Sequence, residues 1–418
     1  MPRHQKSYHL IFFFLQPFFT LLYYLKNFRK PAAKNVMWLF TVFYAATFAI
    51  GAENAGSDIV RYVAEVSYLN HLNVDVNGLV AYYIDSGEFD ILRTLLAYLV
   101  STFTDNGFYL IIVFGVIYGY FFSRNMWYVL DRLQGRIKIF TKILVICLFL
   151  VIPIWNLNGF RFWTGAHIFV FGLLPFLFER KKRSLIWCLI TPFVVHYSFI
   201  VTLVPLGVYL ILGNRIKLYY VVFILSLFAS TINIAKFNSF VETYAPENLA
   251  DRSSSYRSEE LVKDLREGEG KYDTDRVWYA KYYDVVLKYT LTAFLLFFYR
   301  SFRKTIATNK ELLRLLSFIL LFYSFANVLS SIPSGFRFLS IANLLTLSFI
   351  TLYLQNYIFK RDLYRLSKIA TPFLLFFILI AFRQSWYSIS VMALIGNPIT
   401  AIMTFGENIS LNDIIKSL

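Results

Sequence analysis

Apolar runs long enough to form a membrane helix recur along nearly the whole of this 418-residue chain, separated by short hydrophilic breaks. A helix needs about 20 mostly apolar residues to cross the hydrocarbon core of a bilayer, where every backbone N–H and C=O must be bonded within the protein. Hydrophobic residues make up 58% of the sequence and charged residues only 16%, more apolar surface than one water-facing core can hide. No long stretch alternates strictly between apolar and polar residues, which disfavours a membrane barrel against helices. The expected fold is all-α: a polytopic membrane helical bundle, with residues 1–418 as a single transmembrane domain.

The formal charge of +16 follows from topology rather than nucleic-acid binding, because the lysines and arginines fall in the breaks. Basic breaks lie at Lys26–Lys34, Arg124–Lys142, Glu179–Arg183, Arg215–Lys217, Arg300–Arg314 and Lys360–Lys368, and the positive-inside rule places them on the cytoplasmic side. The breaks at Glu53–Phe103, Trp155–Arg161, His196, Asn233–Lys281 and Ser331–Arg337, together with the tail from Arg383, then face outward. About twelve spans fit between them, near residues 8–25, 36–52, 106–122, 139–154, 160–178, 184–196, 198–212, 218–233, 282–300, 312–330, 338–354 and 369–382.

Two segments strain this fit. Residues 89–103 are apolar enough to cross but would break the charge bias, so they are expected as a re-entrant or interfacial helix within an external loop over residues 53–103. Leu185 to Leu212 reads either as two short spans meeting near His196 or as one long tilted helix. Residues 234–281 are the only long polar stretch, expected as an ordered external loop with a short surface helix. The run Tyr8–Leu25 lacks a small-residue cleavage site and is expected to be retained as a span. Cys147 and Cys188 sit inside apolar runs, which favours packing over a disulfide or a metal site.

One short string occurs twice: Gly-Phe-Arg-Phe at Gly159–Phe162 and at Gly335–Phe338, each time at the entrance to a span. An arginine at a membrane boundary is unfavourable unless something anionic or polar meets it, so the two copies point to one shared anionic ligand for Arg161 and Arg337. The planar guanidinium fork suits phosphate oxygens, and each charge-assisted hydrogen bond contributes about 1.5–3 kcal/mol. The same face collects Asp58, Arg61 and Tyr62 in Ser-Asp-Ile-Val-Arg-Tyr, then His196 and Arg383. Asp58 and Arg61 share a helical face at their spacing of three, where they either neutralise each other or meet a ligand.

His196 stands where two short helices meet, either taking a proton from a sugar hydroxyl or hydrogen-bonding inside the bundle. His167 reads as structural, and Glu88, Asp90 and Arg93 read as a supporting or surface cluster. Trp155, Tyr244, Tyr256 and Tyr272 suit both stacking on sugar rings and an interfacial aromatic belt. No HExxH, GxSxG, Gly-rich phosphate loop or acidic pair with metal spacing is present, so a metal-independent mechanism without a cofactor is expected.

The order of these features resembles the EpsG-type branch of the Wzy polysaccharide polymerases over nearly the full length. It consists of Ser-Asp-x-x-Arg-Tyr after the second span, Glu88–Leu92, Arg161 with Thr164-Gly165-Ala166, His196-Tyr197-Ser198, and Arg337 late in the chain. Family members commonly carry Arg-Gln-x-x-Ala where this chain has Arg161-Phe-Trp-Thr-Gly-Ala166. The resemblance implies a multi-pass enzyme of the bacterial inner membrane with a GT-C-like fold, making exopolysaccharide or O-antigen. It would join oligosaccharide repeat units carried on undecaprenyl diphosphate, as donor and acceptor, at the periplasmic or outer face. Membrane lipid and a chain-length regulator protein would be partners, and nucleic acid would not.

On that reading Arg161 and Arg337 grip the diphosphate, and Asp58 or His196 orients or deprotonates the acceptor hydroxyl. Arg61, Tyr62, Arg383 and Tyr256 would bind substrate. The alternatives are a different glycosyltransferase or ligase with a lipid-linked donor, or a non-enzymatic transporter or flippase of lipid-linked glycan. One-sided placement of the arginines argues against transport, which usually needs a polar site near the bilayer midplane.

Overall fold

The computed structural model describes residues 8–51, 57–85, 90–228, 277–332, 334–357 and 361–417, and among these every named element is helical. One isolated bridge, Ser390 to Ser410, is the single strand-like pairing among the described residues. Among the described residues, five helical stretches are long and apolar enough to cross a membrane: Phe108–Leu130, Ile139–Glu179, Lys310–Leu329, Arg337–Asn356 and Arg361–Ser385. Several apolar helices of this length mark a membrane protein. The long polar stretch expected at 234–281, with Tyr244, Tyr256 and Tyr272, lies almost wholly outside the described residues, as does Glu88.

Two compact units make up the chain: Met1–Leu133 with Ile152–Val201 and Phe382–Leu418, and Gln134–Val151 with Thr202–Ala381. In the first, α1 (Tyr8–Leu15) and α2 (Pro17–Lys26) lead to α3 (Ala33–Ala46). Three helices follow, α4 (Asp58–His71), α5 (Val76–Asp85) and α6 (Ile91–Ser101), where the sequence suggested a loop holding one short helix. At about 1.5 Å per residue, the 11 residues of α6 reach roughly 16 Å, about half the thickness of a hydrocarbon core.

The long α7 (Phe108–Leu130) packs along α3 because two glycines one turn apart remove the side chains between them. A Cβ at Gly115 would stand 2.4 Å from the Cβ of Ala45, and one at Gly119 would stand 2.7 Å from that of Thr41. This small-xxx-small spacing lets two membrane helices approach closely where no hydrophobic drive separates helix from lipid. On its other side α7 meets α9 (Phe160–Glu179), with the Phe114 and Phe160 rings stacked at 3.7 Å. Tyr118 fixes the same contact by donating to the carbonyl of Pro153 at 2.7 Å.

The chain end belongs to this unit as well. The Ala49 N–H donates to the Ser388 carbonyl, Ser390 Oγ to the Thr47 carbonyl and Tyr44 to Ser388 Oγ, so the segment after Arg361–Ser385 closes over the end of α3.

The second unit holds α8 (Ile139–Leu150), α11 (Leu203–Leu212), α12 (Ile216–Ser226) and the helices Trp278–Thr308, Lys310–Leu329, Arg337–Asn356 and most of Arg361–Ser385. Arg337–Asn356 is its centre, with 89% of its apolar window buried. Polar groups there find partners inside the unit: Tyr323 donates to Asn343 Oδ1 at 2.8 Å, and Gln355 Nε2 donates to the Gln134 and Arg136 carbonyls. A cavity of about 400 Å³ opens among Val204, Val208, Val222, Leu225 and Val328, with almost wholly apolar walls.

Candidate functional site

Ionisable side chains from four elements of the first unit meet around Asp90. The first element is α9. After Pro153, which cannot continue α8 through a backbone donor, the chain makes a 3-10 turn over Ile154–Gly159. Gly159 then caps α9, which puts Arg161 in the first helical turn. A cation there opposes the helix dipole by about 0.3–1 kcal/mol, so an anion nearby is required for comfort. Asp90 supplies it: Arg161 Nη1 donates to Asp90 Oδ2 at 3.0 Å.

The second element is the break between α10 (Leu185–Ile190) and α11 (Leu203–Leu212). A π-helical turn over Thr191–Val195 contains Pro192, the backbone becomes extended at His196, and a 3-10 turn resumes over Tyr197–Thr202. Single π turns of this kind concentrate at functional sites because they reset the direction of the next side chain. Here the break sends His196 Nδ1 to 2.8 Å from Asp90 Oδ2 and the Tyr197 N–H to 3.0 Å from Asp90 Oδ1. Of the two readings open for Leu185–Leu212, the structure has two short helical segments meeting at His196.

Asp90 itself precedes α6 at the N-cap position. An N-cap aspartate ordinarily bonds its own helix and stabilises it by about 1 kcal/mol, but the Asp90 side chain makes no such bond. Its carboxylate instead accepts from three donors on two other elements while 2% exposed. Burial alone would raise its pKa, but His196, the Arg161 charge and the Tyr197 N–H outweigh it and hold the carboxyl below its ordinary value. An ionised Asp90 only accepts, so Nδ1 is the nitrogen of His196 that donates to it, and Nε2 is the one left to face a ligand.

A second pair lies beside this one. Glu65 of α4 and Arg93 of α6 form an ion pair with both residues buried, and Tyr82 donates to the other Glu65 oxygen at 3.2 Å. The guanidinium carbons of Arg93 and Arg161 stand 5.1 and 5.7 Å from the centroid of the Tyr62 ring, within cation–π range. Burial, with Asp58 adding to it, pushes the Tyr62 phenol up to about 12, so it remains a neutral hydrogen-bonding group. Burial also pulls Arg93 down to about 10, with the like charges of Arg161 and Arg61 acting in the same direction. Asp58 and Arg61 pair with each other at the rim, the spacing of three doing what the sequence suggested, and Arg61 is 70% exposed there.

Arg337, like Arg161, lies in the first turn of its helix, Arg337–Asn356, which belongs to the second unit. Its glycine serves a different purpose: a Cβ at Gly335 would stand 2.0 Å from the Leu329 carbonyl oxygen, whereas one at Gly159 would meet only the Trp163 side chain, at 3.0 Å. Arg383 bonds Asn412 in the chain's last segment, and Tyr256 lies outside the described residues. His167 is fully buried, with Nε2 3.3 Å from the Tyr118 hydroxyl and Nδ1 3.3 Å from Asn125 Nδ2, the structural role read from the sequence.

Asp90 and Arg93, read from the sequence with Glu88 as a supporting or surface cluster, are both buried, which removes the surface alternative and leaves the supporting one, and Asp90 is the group on which Arg161 and His196 converge. Its signals were its place in the Glu88–Leu92 string of the resemblance and an aspartate directly before an apolar helical run, the latter indistinguishable in sequence from an ordinary cap. Among the described residues no three His, Cys, Asp or Glu side chains gather as a metal ligand set. Comparison of the chain with protein-family models, curated proteins and solved structures returns no match.

Proposed function

We propose that the chain is a membrane glycosyltransferase that moves a glycan from a polyprenyl diphosphate donor to a hydroxyl of a second lipid-linked glycan, the chemistry of a polysaccharide repeat-unit polymerase. The observation that carries this reading is the Asp90–His196 pair with Arg161 on the same carboxylate oxygen. A carboxylate on Nδ1 makes Nε2 a proton acceptor for an alcohol, and a partly exposed guanidinium beside it meets developing phosphate charge.

In the reaction, His196 Nε2 takes the proton of the acceptor hydroxyl as its oxygen attacks the anomeric carbon. The bond from that carbon to the diphosphate oxygen breaks, its electron pair leaving with the diphosphate. Arg161 stabilises that departing charge, Asp90 stabilises the imidazolium, and Tyr62 donates from the floor of the site. The proton on His196 is then returned to solvent or to the leaving group. Asp58, first considered as base, is a rim residue on this reading because Arg61 already neutralises it.

The remaining features follow from the same reading. The protein would sit in a bacterial inner membrane with about twelve crossings in a GT-C-like arrangement, its site toward the outer face. Supporting this, described helices overlap each of the twelve apolar runs counted from the sequence, and five helical stretches are long enough to cross. Those shorter than a full crossing would span as broken pairs or with local thinning of the bilayer.

Purified protein reconstituted with undecaprenyl-diphosphate-linked oligosaccharide tests the reading. A ladder of longer glycans with release of undecaprenyl diphosphate, lost in His196→Gln, is the expected result. Units that only change leaflet, with no new glycosidic bond, would make this a transporter and end the proposal.

A further inference from the structure

The helix Arg361–Ser385 ends with Arg383 in its last turn, and the chain then folds back so that Asn412 docks against it. The docking is specific: the Asn412 N–H donates to the Trp386 carbonyl at 3.0 Å and the Leu411 N–H to that of Ile389 at 2.9 Å. Arg383 Nη2 donates to Asn412 Oδ1 at 2.9 Å. That bond orients the amide, because only the oxygen can face a guanidinium, and the NH2 group must point away from it.

Asn412 is 3% exposed, yet its Nδ2 finds no acceptor among the described residues, and neither does Nη1 of Arg383, which is also shielded from solvent. Two donors, one of them charged, are thus buried on adjacent side chains without acceptors. Buried donors left this way are strongly unfavourable and rare in folded proteins. The neighbouring carboxylate of Asp413 accepts from Ser410 Oγ at 2.8 Å. Trp386 and Tyr387 flank the guanidinium at 5.0 Å each, the ring types enriched where membrane meets water.

We propose that Arg383 and Asn412 bind a phosphate group, with two of its oxygens accepting from Nη1 and Nδ2. The phosphate comes from a lipid headgroup or from free phosphate, and the chemistry of the contact is the same. This site does not rest on the transfer reaction and stands or falls separately from it.

The test uses the full chain in detergent after removal of bound lipid, following thermal midpoint on addition of inorganic phosphate, of phosphatidic acid, or of uncharged diacylglycerol. Phosphatidic acid is expected to raise the midpoint of the wild type, with diacylglycerol inactive. An equal rise with inorganic phosphate assigns the site to the free anion, and a rise with the lipid alone assigns it to headgroups. Arg383→Gln should weaken binding by about tenfold or more through loss of a charge-assisted bond. Asn412→Asp is the deciding variant, because its carboxylate fills the position of the anion. It should keep the ligand-free midpoint at or above that of the wild type while losing the response to phosphate. No response in the wild type, or equal affinity in wild type and Asn412→Asp, would overturn the proposal.

Discussion

Asp90 gives up the bond it would normally make to its own helix and spends both oxygens on Arg161, His196 and the Tyr197 N–H. Asp90→Asn removes the charge that stabilises an imidazolium, so turnover on lipid-linked glycan should fall by about 10²–10⁴-fold with KM little changed. Equal turnover would mean that His196 acts without it. Arg161→Lys keeps the charge but loses the fork, and is expected to lower turnover with normal yield of folded protein. The matching expectation for Arg337→Lys rests on the doubled tetrapeptide alone, so normal polymer from that variant removes Arg337 from the reaction and leaves the Asp90 site intact. The lowered pKa of Asp90 also has a sign in stability. Its contribution is complete above the ordinary carboxylate value and disappears as pH falls through the lower folded value. Melting temperature followed below about pH 4 should therefore decline less steeply in Asp90→Asn than in the wild type.

At the scale of elements, the short helices α4 and α6 are joined by the buried Glu65–Arg93 charge pair and by Asn70 Nδ2 donating to the Ser101 carbonyl. Glu65→Gln leaves Arg93 buried without its counter-ion, which should destabilise the unit by roughly 3–5 kcal/mol. Replacing both with apolar residues of similar size should cost far less, and thermal melts of the single and double variants distinguish a structural pair from a pair needed for activity. The α3–α7 contact makes a steric prediction: Gly115→Leu forces a side chain into Ala45 and should prevent assembly of the unit, seen as loss of monodisperse protein on size exclusion.

For the whole molecule, the first unit is assembled from three separated stretches of chain, the last being residues 382–418. Removing the chain beyond Gln384 strips the end of α3 of its bonds from Ser388 and Ser390 and deletes Asn412. Such a truncation should lower the melting temperature of the first unit by several degrees, as expected when buried hydrogen bonds worth about 1 kcal/mol each are lost together. An unchanged melt would show the tail to be an appendage.

Much of this was legible in the chain. The apolar runs placed the five long helical stretches, because a segment that must bond its own backbone in hydrocarbon has few alternatives to a helix, but not α4, α5 or the short helices after Ser385. His196 at a corner, the Asp58–Arg61 pair and the structural His167 were likewise readable, since each depends on spacing within one or two turns. Asp90 was not, because its role comes from residues 71 and 106 positions away that carry no local mark of the meeting. Composition and periodicity by themselves determined an all-helical membrane protein with arginines at helix entrances. Tertiary structure alone decided which carboxylate those groups share, because burial of an anion is tolerated only where donors from several elements converge on it, and convergence is a property of packing rather than of sequence order.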